Sequence, residues 1–329
     1  MRSLSFRHPP PPTLLRTGHD YGGEPGAWPH VSSSFGSIDY AGFAKPAASW
    51  FRAWWLYSLP ASDPSRPPLS VAAVASAKIV ESWAPSANGT RTIHVYTNAP
   101  LARLRLPSGA VFGPSVAVSA FGAMATFYSV PFASGLLVAE ALAADGATVL
   151  ATDSAASWGA PAALRVSIDA PSASTGTGGA VLLDGTDVAL LRATVIDAAG
   201  NTCGDAAATV YFAVTAGPAR IIGTHNGDPA LQQPANASAV PAYGGLARAI
   251  VRVTLAAVGA AVDRALLAAV NLDAGRGESS AVVQGDVPPP ASFTVTATAD
   301  GLAAGSATVA LSVDPEDAVL AVAAASVTF

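Results

Sequence analysis

Charge is scarce in this chain. Asp, Glu, Lys and Arg make up only 12% of its 329 residues, about half the usual share. The surface must therefore be covered by Ser, Thr, Gly, Asn and Ala, which suits a secreted or extracellular β-protein better than a cytosolic helical one. The net charge is -5, and no Lys/Arg run is present. Nucleic acid is excluded as a partner on that ground, because neutralising phosphates needs clustered cations. Cysteine is reduced to Cys203, so neither an internal disulfide nor a thiolate metal site can form. The five histidines include no pair at metal-ligand spacing on one element. No metal or other cofactor is expected. Long apolar runs are missing as well. The best candidate, residues 246–272, is interrupted by Arg248, Arg252, Asp263 and Arg264, so no membrane span is expected. The first residues, MRSLSFRHPPPP, lack the apolar core of a signal peptide.

What is plentiful is apolar: 51% of the chain, ample for packed cores, so the chain is not disordered. Length alone favours two or three domains. Residues 1–12 read as a disordered Pro-rich lead. Residues 13–59 hold four of the six tryptophans. Leu14-Leu15 begins a candidate buried strand running into the Gly22-Gly23 loop. Lys45-Pro46 then starts a helix, because proline is tolerated in a first turn. Trp50, Phe51, Trp54 and Trp55 share one broad helical face, and the helix stops before Pro60. A single strand-loop-helix unit cannot bury both of its faces. Orphaned, its Trp-rich face would be exposed, and deleting residues 1–60 should then raise solubility.

Residues 60–70, PASDPSRPPLS, are a linker by composition. Short strands with turn signals follow, a pattern that predicts β-sandwiches. In residues 71–160 the strands are predicted around 93–97, 101–106, 125–130, 136–141 and 147–152. Leu104 and Leu106 face inward and Arg103 and Arg105 outward. Asp145-Gly146 signals a type I′ hairpin turn. A second sandwich is predicted over 161–313, with strands around 163–168, 189–196, 208–214, 219–223 and 293–298. Its turns fall at Asp184-Gly185, Ala199-Gly200-Asn201 and Asp300-Gly301. Residues 255–290 form an Ala-rich insertion in which 258–270 could be a short helix, and 314–329 are a tail.

Three stretches, in order, resemble the C-terminal portion of glycoside hydrolase family 2 enzymes, the β-galactosidase-like group. TGHDYGGEP over 17–25, Trp28-Pro29, and SSSFGSIDYAGFAKP over 32–46 resemble that family's last barrel strand, loop and helix. Lys78 to Trp83, with 95–106, is similar to the β-sandwich that follows the barrel. Residues 197–201, 214–228 and 242–251 are similar to the terminal immunoglobulin-like domain. The resemblance implies a mainly β chain: immunoglobulin-like β-sandwich domains preceded by the last βα unit of a (β/α)8 barrel. It implies hydrolysis of β-linked galactosides or related sugars through a covalent glycosyl intermediate. It also implies that the acid/base and nucleophile glutamates sit on earlier barrel strands, so no position here inherits a catalytic role. Arg16 and His19 stand where the family commonly has aromatics.

Asp20 and Glu24 could be taken for a glycosidase carboxylate pair, since four residues across a Gly-Gly turn can meet either the roughly 5 Å or the wider spacing that such chemistry uses. Their simpler role is to hold the loop by accepting backbone N–H groups. Asp39 matches a position at the mouth of the family's barrel, where a carboxylate can accept from sugar hydroxyls. Trp28 could stack on a sugar face, and Lys45 could reach the same mouth. Asn226-Gly227-Asp228 offers too few oxygens for calcium and reads as a turn. Asn88 and Asn236 stand in glycosylation sequons, meaningful only in a secreted protein. The residues leave two functions open. One is the C-terminal part of a glycosidase, inactive alone and partnered by the missing barrel portion or another chain. The other is a non-catalytic β-sandwich that binds carbohydrate or mediates contacts.

Overall fold

The structure, a computed structural model, describes residues 17–58, 75–118, 122–254 and 291–312. The Pro-rich lead, Leu14-Leu15, the 60–70 linker, the 255–290 insertion with its candidate helix, and the 314–329 tail lie outside the described residues. The described chain is dominated by strands, with one α-helix. It forms two compact units that divide between Trp158 and Gly159.

The first unit contains α1 (Pro46–Ser58) and seven strands: β1 (Ala77–Ile79), β2 (Thr90–Thr97), β3 (Leu101–Arg105), β4 (Val116–Ala117), β5 (Ala125–Pro131), β6 (Leu136–Leu142) and β7 (Val149–Ala156). They make two antiparallel sheets, ordered β1-β2-β5 and β4-β3-β6-β7. Alternation places Ile93, Val95, Phe127 and Val130 of one sheet and Ala102, Leu104, Leu137 and Ala139 of the other in a single buried cluster. Trp83 is fully enclosed in it, and its indole N–H donates to the Ala133 carbonyl at 2.9 Å. A buried indole needs such an acceptor.

The helix begins at Pro46 as the sequence predicts, but it is not orphaned. Ala53 and Trp54 are buried within the sandwich cluster, and Trp50 packs against it. The Trp50 indole donates to the Gly122 carbonyl at 3.2 Å, and the Asn98 amide donates to the Ala53 carbonyl at 3.0 Å. The expected free Trp-rich face is therefore corrected. The aromatic stripe is wide enough to be split. Its Trp50/Trp54 side closes the sandwich core, while Trp55 stays exposed and Phe51 half-buried. No regular strand precedes the helix among the described residues. Residues 17–45 are held instead by single bridges, described below.

Two local expectations also change. The β6–β7 turn is not type I′. Its Gly146 N–H bonds to the Ala143 carbonyl, and only Gly146 has positive φ. That is a type I turn followed by a left-handed glycine. Asp145 accepts from the N–H groups of Ala147 and Thr148 and from the Thr148 hydroxyl, which hold its carboxyl at about 2. Arg103 and Arg105 do lie opposite Leu104, yet both turn onto the buried Glu140 of β6, at 2.5 and 2.7 Å. Burial alone would raise the Glu140 pKa. The hydrogen bonds from Arg105 and Arg103 outweigh it and hold the carboxyl below its usual range.

The second unit has nine strands: β8 (Pro161–Ala170), β9 (Val181–Leu182), β10 (Val188–Asp197), β11 (Thr209–Ala216), β12 (Ala219–His225), β13 (Ala239–Pro241), β14 (Leu246–Val253), β15 (Ser292–Thr298) and β16 (Gly305–Ser312). They form sheets ordered β12-β14-β10-β8 and β13-β11-β15-β16-β9. Leu191, Val195 and Val251 bury the inner face of the first, and Phe212, Phe293 and Val295 that of the second. This is the predicted β-sandwich architecture. The turns at Gly185, Gly200 and Gly301 all have positive φ, which glycine alone adopts without a steric cost.

The outer face of the first of these sheets carries paired arginines. Arg192 of β10 and Arg248 of β14 are direct cross-strand partners. A register irregularity in β8 skips Asp169 between Ile168 and Ala170, and this bulge aims its carboxylate at both guanidinium groups. Asp169 accepts from Arg192 Nε at 3.1 Å, from a second Arg192 nitrogen, and from Arg248 at 2.6 Å. Burial opposes ionisation of Asp169, but the two arginines prevail and lower its pKa.

Candidate functional site

The loop over residues 17–45 is built on three bridges. His19 pairs in parallel with Ile38, Gly22 antiparallel with Ser32, and Ile38 antiparallel with Ala44. Ile38 is thus the central rung: its N–H donates to the Gly18 carbonyl and its carbonyl accepts from Asp20, both at 2.9 Å. The segment between Gly22 and Ser32 is an excursion with a turn at its tip. Trp28 sits on that turn, 78% exposed. Phe35 and Tyr40 are also exposed, and Tyr21 meets Phe35 edge-on at 5.9 Å. An exposed aromatic set on one loop is unusual where aromatics normally pack inward.

Asp20 is buried. Its Oδ1 accepts from the Gly36 N–H at 2.7 Å and its Oδ2 from the Lys45 ammonium at 2.5 Å. Lys45 also donates to the Ser34 carbonyl at 2.9 Å. Asp20 and Lys45 lie at opposite ends of the loop in sequence, so this pair ties its start to the residue that precedes α1. Glu24 is exposed, has left-handed backbone, and accepts from the Tyr21 hydroxyl. Both carboxylates are thus engaged with the loop itself.

Asp39 differs. Its Oδ1 accepts from the N–H groups of Ala41 and Phe43, each at 2.9 Å. The Phe43 carbonyl in turn accepts from the Asp39 N–H at 2.9 Å. Its Oδ2 has no such bond among the described residues. Partial burial raises the Asp39 pKa, and Asp20 adds to this, while the backbone N–H groups and Lys45 pull it down. Lys45 and Asp20 are thus near enough to act on Asp39 through their charges. Trp28 belongs to the same loop but to its outer excursion. The arrangement offers one carboxylate oxygen as an acceptor, no uncommitted lysine beside it, and an exposed indole.

Gly36 is what makes the arrangement possible. A Cβ there would lie 2.5 Å from the Asp20 nitrogen and 2.5 Å from the His19 carbonyl carbon. Gly36→Ala is expected to destabilise the loop by about 1–3 kcal/mol or more, seen as a lower urea midpoint. Gly18→Ala, where a Cβ meets nothing within 4 Å, serves as the control; equal midpoints for the two variants would refute the crowding.

The remaining predicted positions are dispersed. Asn88 and Asn236 are both exposed, in turns of the first and second units. Asn226 forms a turn, accepting from the Asp228 N–H and donating to the Pro241 carbonyl. Among the described residues no group of three His, Cys, Asp or Glu could hold a metal, and no helix is long and apolar enough to cross a membrane. Sequence reading missed the Asp20–Lys45 pair and the Asp169 triad. Their partners are far apart in the chain, and only β-register or bridge pairing could have joined them.

Residues 179–262 match the family model described as "Glycoside hydrolase family 2 C-terminal domain 5". Among solved structures, a β-glycosidase from Bacteroides vulgatus is 18% identical with a TM-score of 0.63, covering 89% of this chain and 30% of its own. A glycosyl hydrolase family 2 member from Bacteroides cellulosilyticus is 20% identical at 0.63, covering 90% and 35%. A β-glucuronidase of the same family is 23% identical at 0.60, covering 86% and 23%. Comparison with curated proteins gave no match. Residues 179–262 are thus similar to a family 2 C-terminal domain, and the fold is shared with the solved structures named above. The chain's resemblance to the C-terminal portion of family 2 enzymes stands. It spans about a third or less of the length of the structures it matches.

Proposed function

We propose that this chain is the C-terminal part of a glycoside hydrolase that cleaves β-linked neutral sugars such as β-galactosides. Residues 17–45 would supply one wall of its sugar site as the last βα unit of a (β/α)8 barrel. The observation that carries this reading is the Asp39 carboxylate, anchored through Oδ1 and open at Oδ2, in a chain whose residues 179–262 match a family 2 domain. Asp39 accepts from a sugar hydroxyl, Trp28 stacks on the sugar ring, and Lys45, held by Asp20 and the Ser34 carbonyl, orders the loop that carries them. The acid/base and nucleophile come from polypeptide outside this chain, so the isolated chain does not turn over substrate. The exposed Trp55 and half-buried Phe51 stripe of α1 receives that polypeptide.

A neutral sugar is favoured over a uronate by charge. The open oxygen belongs to a carboxylate, and the nearby lysine is already neutralised by Asp20. A substrate carboxylate would meet repulsion there. In the chain joined to the polypeptide that completes the barrel, Asp39→Asn is expected to lower kcat/KM about 10- to 100-fold, the range for losing a hydrogen bond to a charged acceptor. Chromogenic β-galactosides should be cleaved faster than β-glucuronides. Faster glucuronide turnover would overturn the neutral-sugar reading, and turnover by the isolated chain well above background would overturn the division of labour. One observation favours a non-catalytic carbohydrate-binding protein: α1 packs on this chain's own sandwich, so the loop has support without a barrel. Galactose binding by the isolated chain with no activity in any longer form would select that reading.

A further inference from the structure

The outer face of the β12-β14-β10-β8 sheet holds a second arginine pair. Arg220 of β12 and Arg252 of β14 are direct cross-strand partners, in the register that pairs Arg192 with Arg248 further along β14. Like charges directly opposite on a sheet repel. At the Arg192–Arg248 pair the fold answers this with Asp169, which accepts from both guanidinium groups. At the Arg220–Arg252 pair no carboxylate does so among the described residues. The acid closest in sequence to this end of the sheet is Asp187, beside Val188, the β10 partner of Arg252. Its two oxygens already accept from the N–H groups of Leu182 and Val188. The Arg252 Nε–H is enclosed and lacks an acceptor, while Arg220 is exposed. Arg252 as a whole is half-buried, but its enclosed N–H without an acceptor is costly, and a planar guanidinium fork matches a carboxylate.

We propose that Arg220 and Arg252 form a binding site for a carboxylate ligand, which takes the place that Asp169 fills at the neighbouring pair. The ligand bridges the two guanidinium groups, satisfies Arg252 Nε and relieves their repulsion. Arg220 gives access from solvent, and half-buried Arg252 provides the floor. A sugar acid and a simple aliphatic carboxylate offer the same chemistry. The site is separate in its residues from the one proposed at Asp39.

The test is calorimetric titration of the full chain at low salt with glucuronate, acetate and galactose. Saturable binding of glucuronate is expected, and Arg252→Gln and Arg220→Gln should each weaken it about 10-fold or more. Glucuronate binding tighter than acetate assigns the site to sugar acids; equal binding assigns it to simple carboxylates. Galactose binding that Arg220→Gln weakens as much as it weakens glucuronate binding would overturn the proposal. So would no saturable binding of either acid, or binding that both arginine variants retain. Arg220→Gln alters an exposed side chain, so it stays informative if Arg252→Gln misfolds. Loss of galactose binding in Asp39→Asn alone would concern the other site.

Discussion

Trp54→Ala is expected to destabilise the first unit by about 3–5 kcal/mol, the range for removing a large buried aromatic. Trp54 is 3% exposed and shares one cluster with Trp83, Ile93 and Leu104. Its loss would leave a cavity where α1 meets the sandwich. Trp55→Ala, one residue on but 43% exposed, should cost far less. Urea unfolding followed by tryptophan fluorescence separates the two, with far-UV circular dichroism as a second probe. Removing residues 1–58 should act like Trp54→Ala and more strongly, because it also takes away Trp50, Ala53 and the acceptor for the Asn98 amide. The truncated chain is therefore expected to be less soluble, against the expectation for an orphaned helix. If truncation raises the unfolding midpoint, the packing of α1 on the sandwich is wrong.

Asp169→Ala should be of similar size, about 3–5 kcal/mol, since it removes one partner of a buried ion pair and leaves the other charge uncompensated. Most of this cost falls on Arg248, whose side chain is 4% exposed. Arg192, at 39%, can turn toward water and contributes less. The mechanism makes a second demand. In the Asp169→Leu, Arg248→Met double variant no buried charge remains, so stability should return close to the starting value. Calorimetric melting of the single and double variants tests both parts. If the double variant is as unstable as Asp169→Ala, the loss comes from the bulge geometry and not from the stranded charge.

The family resemblance and the architecture were legible at different depths. The resemblance to family 2 is carried by the sequence motifs over 17–46, 78–106 and within 197–251. Residues 179–262 match that family's C-terminal domain. Strand positions were readable because alternation of buried and exposed side chains follows directly from the period of two. Turn type was less readable: Asp145-Gly146 fits several turns, and the choice depends on how β6 and β7 meet, with the register irregularity between Ala141 and Leu142.

The sequence by itself determined that this is a β-rich, weakly charged chain with a helix starting at Pro46 and an aromatic, carboxylate-bearing loop before it. Those features are local: each depends on residues a few positions apart. Tertiary structure alone decided which side of the tryptophan stripe is core, since a helical face is defined only by what it touches. It alone joined Asp20 to Lys45 and thereby left Asp39 as the loop's open acceptor. It alone set the register that gives one arginine pair a carboxylate and denies it to the next. Charge pairing acts over a few ångströms of space, and distance along the chain does not encode it.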